Sequence, residues 1–252
     1  MPRFAPRTLA AVCCFALWSP APAAPPDQRP AVVLGGGAVA APSPYRGVAS
    51  NVTAIPFINL NRGRFYLRGI QAGWRLTDRQ GTTLAAVVQP QLQSYSPNES
   101  PALAGMDHRQ WSVDGGLQLS HRAGRWQLSL RAVHDLLGRH QGLLGSAGVS
   151  YDLGTPKLSV APGLGVEWEG ADFVDYYYGV RPGEARSGRP GYDGRAAANP
   201  YAALRVRYSF NRHWGVFTYL RHSWLDEAIT DSPIVGKSTV YSGVAAVTYS
   251  FF

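Results

Sequence analysis

His222 and Ser223 stand side by side in the stretch RHSW, a base next to a hydroxyl, as acyl transfer would require. The spacing defeats the pair. Adjacent residues of an extended segment point to opposite faces, so the imidazole and the hydroxyl cannot meet. His134 with Asp135, and Asp107 with His108, fail for the same reason. Gly35-Gly36-Gly37 would suit a phosphate cradle if a Lys-Ser/Thr pair and a helix followed, and neither does. Glycines in a strand instead permit bends or close approach of another backbone. Tyr176, Tyr177 and Tyr178 could form a sugar platform, or anchor a loop or an interface with their amphipathic rings. The chain has two cysteines, Cys13 and Cys14, and its 6 histidines are dispersed without metal-ligand spacing. No catalytic residue, cofactor or metal site is expected.

What must position these residues is set by the start of the chain and by its periodicity. Arg3 and Arg7 precede an apolar run from Leu9 to Trp18, too short to cross a bilayer as a helix. Ala21-Pro22-Ala23 then supplies a small-x-small cleavage signal. Residues 1–23 read as a secretory signal peptide, and residues 24–252 as one domain. Both cysteines lie inside the apolar run, so the mature chain has no thiol and no disulfide framework. Loss of Arg3 and Arg7 lowers the formal charge of +8 by two. The remaining Lys and Arg are scattered singly, which excludes a nucleic-acid patch and suits the anionic head groups of an envelope.

After residue 30 the dominant period is two. Trp126, Leu128, Leu130 and Ala132 alternate with Arg125, Gln127, Ser129 and Arg131. Ala202, Leu204, Val206, Tyr208 and Phe210 oppose Tyr201, Ala203, Arg205, Arg207 and Ser209, and Gln89, Gln91 and Gln93 line up opposite Val88 and Leu92. The alternating runs last roughly ten to fourteen residues, against about nine to eleven for a tilted transmembrane strand and about five or six for a soluble one. Aromatics close the apolar faces, as at Trp214 with Trp224 and Tyr241 with Tyr249, in the manner of interfacial girdles. The connectors 122–125, 153–157 and 210–212 are tight, whereas 96–109, 179–200 and 226–237 are long. The fold class is therefore an all-β, antiparallel transmembrane β-barrel.

Eleven segments emerge, about 31–40, 51–60, 64–77, 82–95, 109–121, 125–137, 142–153, 157–169, 200–210, 213–225 and 238–251. Bacterial barrels have an even number. Twelve strands are expected if DFVDYYYGV (172–180) adds a short one, and ten if an N-terminal segment lies outside the wall.

LGGGAVAAPSPYRG (34–47), with Gly35, Gly36, Gly37, Pro44, Tyr45 and Gly47; LAGM (103–106), with Gly105 and Met106; and YYYGV, with Tyr177, Tyr178, Gly179 and Val180, give the chain a resemblance to the MipA/OmpV family of outer-membrane proteins. IPFINLNRGRFYL (55–67), Glu184-Ala185, the stretch DSPIV with Asp231, Ser232 and Pro233, and the aromatic ending extend it over nearly the whole mature chain. It implies a barrel of the Gram-negative outer membrane, in contact with outer-membrane lipid and lipopolysaccharide, with no catalytic centre. It also implies a scaffolding role for a lytic transglycosylase and a murein synthase. A small pore for solutes and a lipid-modifying enzyme are the competing readings. The ending T-Y-S-F-F resembles the signal read by the barrel-assembly machinery. Its register, Tyr249-x-Phe251, sets Phe251 toward lipid and leaves Phe252 at the rim or pointing inward.

Overall fold

The computed structural model describes residues 31–251; the segment read as a signal peptide and Phe252 lie outside the described residues. Twelve antiparallel strands close into a barrel: β1 (Ala31–Ala41), β2 (Asn51–Arg62), β3 (Phe65–Arg68), β4 (Gln71–Arg79), β5 (Thr82–Gln91), β6 (Ser112–Ala123), β7 (Trp126–Asp135), β8 (Leu143–Tyr151), β9 (Leu158–Glu169), β10 (Ala197–Ser209), β11 (Trp214–Trp224) and β12 (Thr239–Phe251). Each strand pairs with its sequence neighbours, and β1 pairs with β12 from Val32↔Phe251 to Ala40↔Gly243. The period-two pattern dictates this directly. On β12, Tyr241, Val247 and Phe251 are exposed on the outer face, while Val240, Ser242, Val244 and Ala246 are buried toward the lumen. Trp126, Trp214 and Phe251 mark the end of the tight turns, and Trp111, Trp168, Trp224 and Tyr241 mark the end of the long loops.

The twelfth strand is not where DFVDYYYGV suggested it. Residues 171–178 form helix α1 (Ala171–Tyr178), begun at Gly170 with Asp172 in its first turn and ended at Gly179. Its buried residues, Phe173, Val174, Tyr177 and Tyr178, follow helical spacing, which competes with the β-propensity of the same aromatics. The extra strand comes from the segment read as 64–77. Gly69, at φ 56°, turns the chain there, so β3 ends at Arg68 and β4 begins at Gln71.

β3 is four residues long and meets β2 only from Asn59↔Arg68 to Arg62↔Phe65. The half of β2 from Asn51 to Phe57 has its ladder partner on the β1 side alone, among the described residues. Pro56 sits in this half, where a missing N–H is tolerated.

Phe251 extends the β1–β12 ladder and exposes its ring beside Tyr249, whose centroid is 4.8 Å away. Phe251→Ser is therefore expected to lower the yield of folded barrel more than deletion of Phe252 does. Electrophoretic mobility of unheated against heated samples reads this, and the opposite ranking would refute the register.

Candidate functional site: a plugged lumen with one open end

Three layers fill the barrel. The middle layer is polar because β5, β6, β7, β9 and β11 turn their Gln, Arg and Glu inward. Gln71 Nε2 donates to Gln89 Oε1 (3.1 Å) and Gln118 Oε1 (3.2 Å), and Arg131 Nη1 donates to Gln89 Oε1 (3.1 Å). Arg221 grips Glu167 with both guanidinium nitrogens, Nη1 to Oε1 at 2.9 Å and Nη2 to Oε2. It also lies over the Tyr201 ring at 4.0 Å from the centroid. Around the β1–β2–β11–β12 wall the lining is apolar instead: Val39, Phe57, Phe217, Tyr219, Val244 and Ala246 cluster there. The lumen lining is therefore polar around one part of the circumference and apolar around another.

The layer at the loop end is a plug. α1 lies among the long connectors, and its Phe173, Val174, Tyr177 and Tyr178 pack with Tyr45, Tyr95, Leu103, Met106, Ile229 and Ile234. Every long connector is tied in. Tyr45 Oη donates to the Tyr177 carbonyl (3.1 Å) and accepts from Gln93 Nε2 (3.1 Å). Ser232 Oγ donates to the Tyr178 carbonyl (2.6 Å), and Arg46 Nε donates to the Val235 carbonyl (2.8 Å).

At the centre of the plug, Arg109 makes a two-pronged pair with Glu184, Nη1 to Oε1 and Nη2 to Oε2, both at 2.9 Å. The side chains are 1% and 5% exposed. The N–H groups of Asp107 (2.8 Å) and Arg181 (3.0 Å) complete the Glu184 carboxylate. Arg109 Nε donates to the Tyr176 carbonyl (2.7 Å), and Arg189 ties the Glu184 carbonyl to those of Ala102 and Ala104. Burial alone would raise the Glu184 carboxyl. The Arg109 fork, the two N–H donors and the Arg109 charge outweigh it and hold Glu184 below the usual carboxylate range.

The turn end is open. A cavity of about 510 Å³ enters there and reaches inward to Phe57 and Phe217. Arg122, Arg125, Lys157, Arg207 and Arg212 line it against the single carboxylate of Asp152. That carboxylate already accepts from Ser159 Oγ and the Gly154 N–H.

Asp114, Asp135 and His140 bring potential ligand atoms within 4.8 Å of one another, all buried. The imidazole decides their role. Its Nδ1 accepts the Gly142 N–H (3.1 Å), so the ring proton sits on Nε2 and is donated to Asp114 Oδ1 (3.0 Å). The nitrogen facing the carboxylates has no lone pair for a cation. Asp135 is occupied by Ser112 Oγ and the N–H groups of Leu137, His140 and Gln141. The cluster is a clasp for the 136–142 connection. His222 stacks on Tyr241 (4.1 Å) on the outer wall, whereas Ser223 accepts from Arg221 Nε (2.9 Å), so no dyad forms.

Of the residues singled out in the sequence, Tyr45, Met106, Tyr177, Tyr178 and Val180 share the plug core, with Ser232 bonded to it. Pro44 accepts from the Gly236 N–H (2.9 Å). Gly47 (φ 72°) and Gly105 (φ 79°) take conformations that side chains disfavour. Gly179 ends α1, and Asp231 caps helix α2 (Glu227–Thr230) and faces Arg195 at 3.8 Å, with Pro233 two residues on. Gly35, Gly36 and Gly37 are in the wall, midway along β1, and Tyr249 and Phe251 lie at the turn end of β12. Arg109 and Arg189 were not singled out. Arg109 is separated from Glu184 by 75 positions, and nothing local in the chain marks the pairing.

The family model for MltA-interacting protein MipA matches residues 34–251. The outer membrane protein YiaT of Escherichia coli (strain K12) is 30% identical over 221 residues, 86% of this chain and 90% of that protein. The MltA-interacting protein of the same organism is 30% identical over 223 residues, 86% of this chain and 89% of that protein. Among solved structures, the translocator domain of autotransporter NalP from Neisseria meningitidis matches 89% of both chains at 11% identity, with a TM-score of 0.48.

Proposed function

Because the chain belongs to the family of MltA-interacting protein MipA and is an outer-membrane β-barrel, we propose that it is a non-enzymatic interaction barrel of the cell envelope. In this reading it presents its turn end to periplasmic partners instead of conducting solutes. The observation that carries the reading is the asymmetry of the lumen. The loop end is sealed by α1 and the Arg109–Glu184 latch, while the turn end opens on an arginine-rich mouth. In barrels of this kind the short turns face the periplasm and the long loops face outward. The E. coli relative is named for interaction with MltA, which supports a murein-remodelling enzyme as the partner class.

A small-solute pore is the second reading, and the Gln–Arg–Glu layer at mid-height favours it. Two measurements separate the readings. In planar bilayers the interaction barrel gives no steady single-channel steps, and ion-selective steps from the wild type would refute it. Crosslinking in intact envelopes is expected to capture a murein enzyme at the turn end, and capture of none removes the support for that partner class.

A further inference from the structure

The turn-end cavity has two unlike walls. Val33, Phe57 and Phe217, from β1, β2 and β11, form an apolar wall that continues the lumen cluster around the Phe57–Phe217 ring pair (5.2 Å). Arg122 of β6 stands across the lumen from that wall, Arg207 of β10 is the rung partner of Phe217 at its edge, and Arg125, Lys157 and Arg212 lie at the mouth. Among the described residues none of these five cations has a carboxylate within 4.0 Å. Arg122 and Arg207 are half-buried, so their charges are less well hydrated than at an open surface. A cavity of about 510 Å³ falls within the range of small-molecule sites, about 300–1,000 Å³. The apolar wall removes hydrocarbon from water, and the five cations of the lining face the single carboxylate of Asp152.

From this juxtaposition we infer that the cavity binds a single-chain amphiphile with an anionic head, its alkyl chain against Phe57 and Phe217 and its carboxylate or phosphate on Arg122 and Arg207. A purely inorganic anion would leave the apolar wall wet, and a neutral hydrocarbon would leave the guanidinium groups unanswered. The chain enters first, because Phe57 stands further from the turns than Arg122, the penultimate residue of β6, while Arg207 shares a rung with Phe217. The site shares the arginine-rich mouth with the murein-partner reading but needs no protein partner, so photolabelling of the cavity and crosslinking in envelopes can fail separately.

The test uses the full barrel in zwitterionic nanodiscs and a fatty acid carrying a diazirine at its chain end. Adducts are mapped by mass spectrometry. Adducts are expected on Phe57 and Phe217, competed by excess myristate or lysophosphatidic acid and not by tetradecanol. The stronger competitor tells a free fatty acid from a lipid head group. R122E/R207E is expected to lower these adducts about tenfold, the factor for a loss of about 1.4 kcal/mol, while adducts on the lipid-facing Val247 stay unchanged. If the double charge reversal does not assemble, R122Q/R207Q serves with the same expected direction. Adducts confined to the outer wall, equal competition by the alcohol, or Phe57 adducts indifferent to both variants would overturn the assignment.

Discussion

Glu184→Gln is expected to unlatch the plug. Arg109 would keep its bonds to the Tyr176 and Asp107 carbonyls but lose its bidentate counter-charge in a site 1% exposed, leaving only the solvent-exposed Asp107 carboxylate at 3.9 Å. Breaking a buried ion pair from one side costs about 3–5 kcal/mol, enough to populate states in which the 179–200 connector leaves the lumen. Trypsin should cut that connector in the variant under conditions where the wild type resists, and bilayer recordings should show intermittent opening. The double variant R109M/E184M should restore protection, because replacing both partners by apolar groups leaves no charge stranded. Resistance of Glu184→Gln equal to wild type would mean that the apolar core alone holds the plug. The same latch predicts an acid response. Glu184 titrates below its ordinary value of 4.5. The stabilisation from its ionised form is complete above that pH and fades as pH falls through the depressed native value. Protease resistance of the 179–200 connector should therefore be flat from neutrality to about pH 5 and decline only in stronger acid.

Gly37→Val is expected to abolish barrel closure. A Cβ at Gly37 would fall 2.2 Å from the Ala245 carbonyl oxygen, and one at Gly35 would fall 2.1 Å from that of Val247. Both oxygens belong to β12, so the clash lies on the ladder that joins the two ends of the sheet. Gly36, between them, meets nothing within 4 Å. Gly36→Val should assemble with wild-type yield, while Gly37→Val should lack the folded, heat-modifiable band and accumulate as a protease-sensitive species. Normal folding of Gly37→Val would show that β1 and β12 can separate locally without loss of the barrel.

The wall was legible because lipid on one side and a filled lumen on the other impose period two over nearly every strand. Trp126 to Asp135 shows this plainly, with its outward Trp126, Leu128 and Leu130. The count of twelve was legible, but its cause was not. Gly69 turns the chain at φ 56°, and the outward apolar positions change phase across it, from Phe65 to Ile70, Trp74 and Leu76, a shift hidden among the apolar residues around it. α1 was obscured because Phe, Val and Tyr favour strands, although positions 173, 174, 177 and 178 already have helical spacing. The latch was invisible for a different reason. A buried Arg is indistinguishable in sequence from the scattered surface arginines around it, and its partner arrives from another connector. The apolar lumen patch was hidden too, since an inward Phe57 or Phe217 on a strand with an apolar outer face blurs the alternation that would mark it.

The brevity of β3 has a consequence for the bilayer itself. β4 follows β5 up to Ala72↔Val88, but β3 stops at Arg68, so among the described residues the backbone from Asn51 to Phe57 has no ladder on the β3 side. Hydrocarbon cannot solvate such an edge. Whatever covers it, connector, head group or water, must supply polar partners along this one meridian. The protein therefore has a front and a back in the plane of the membrane.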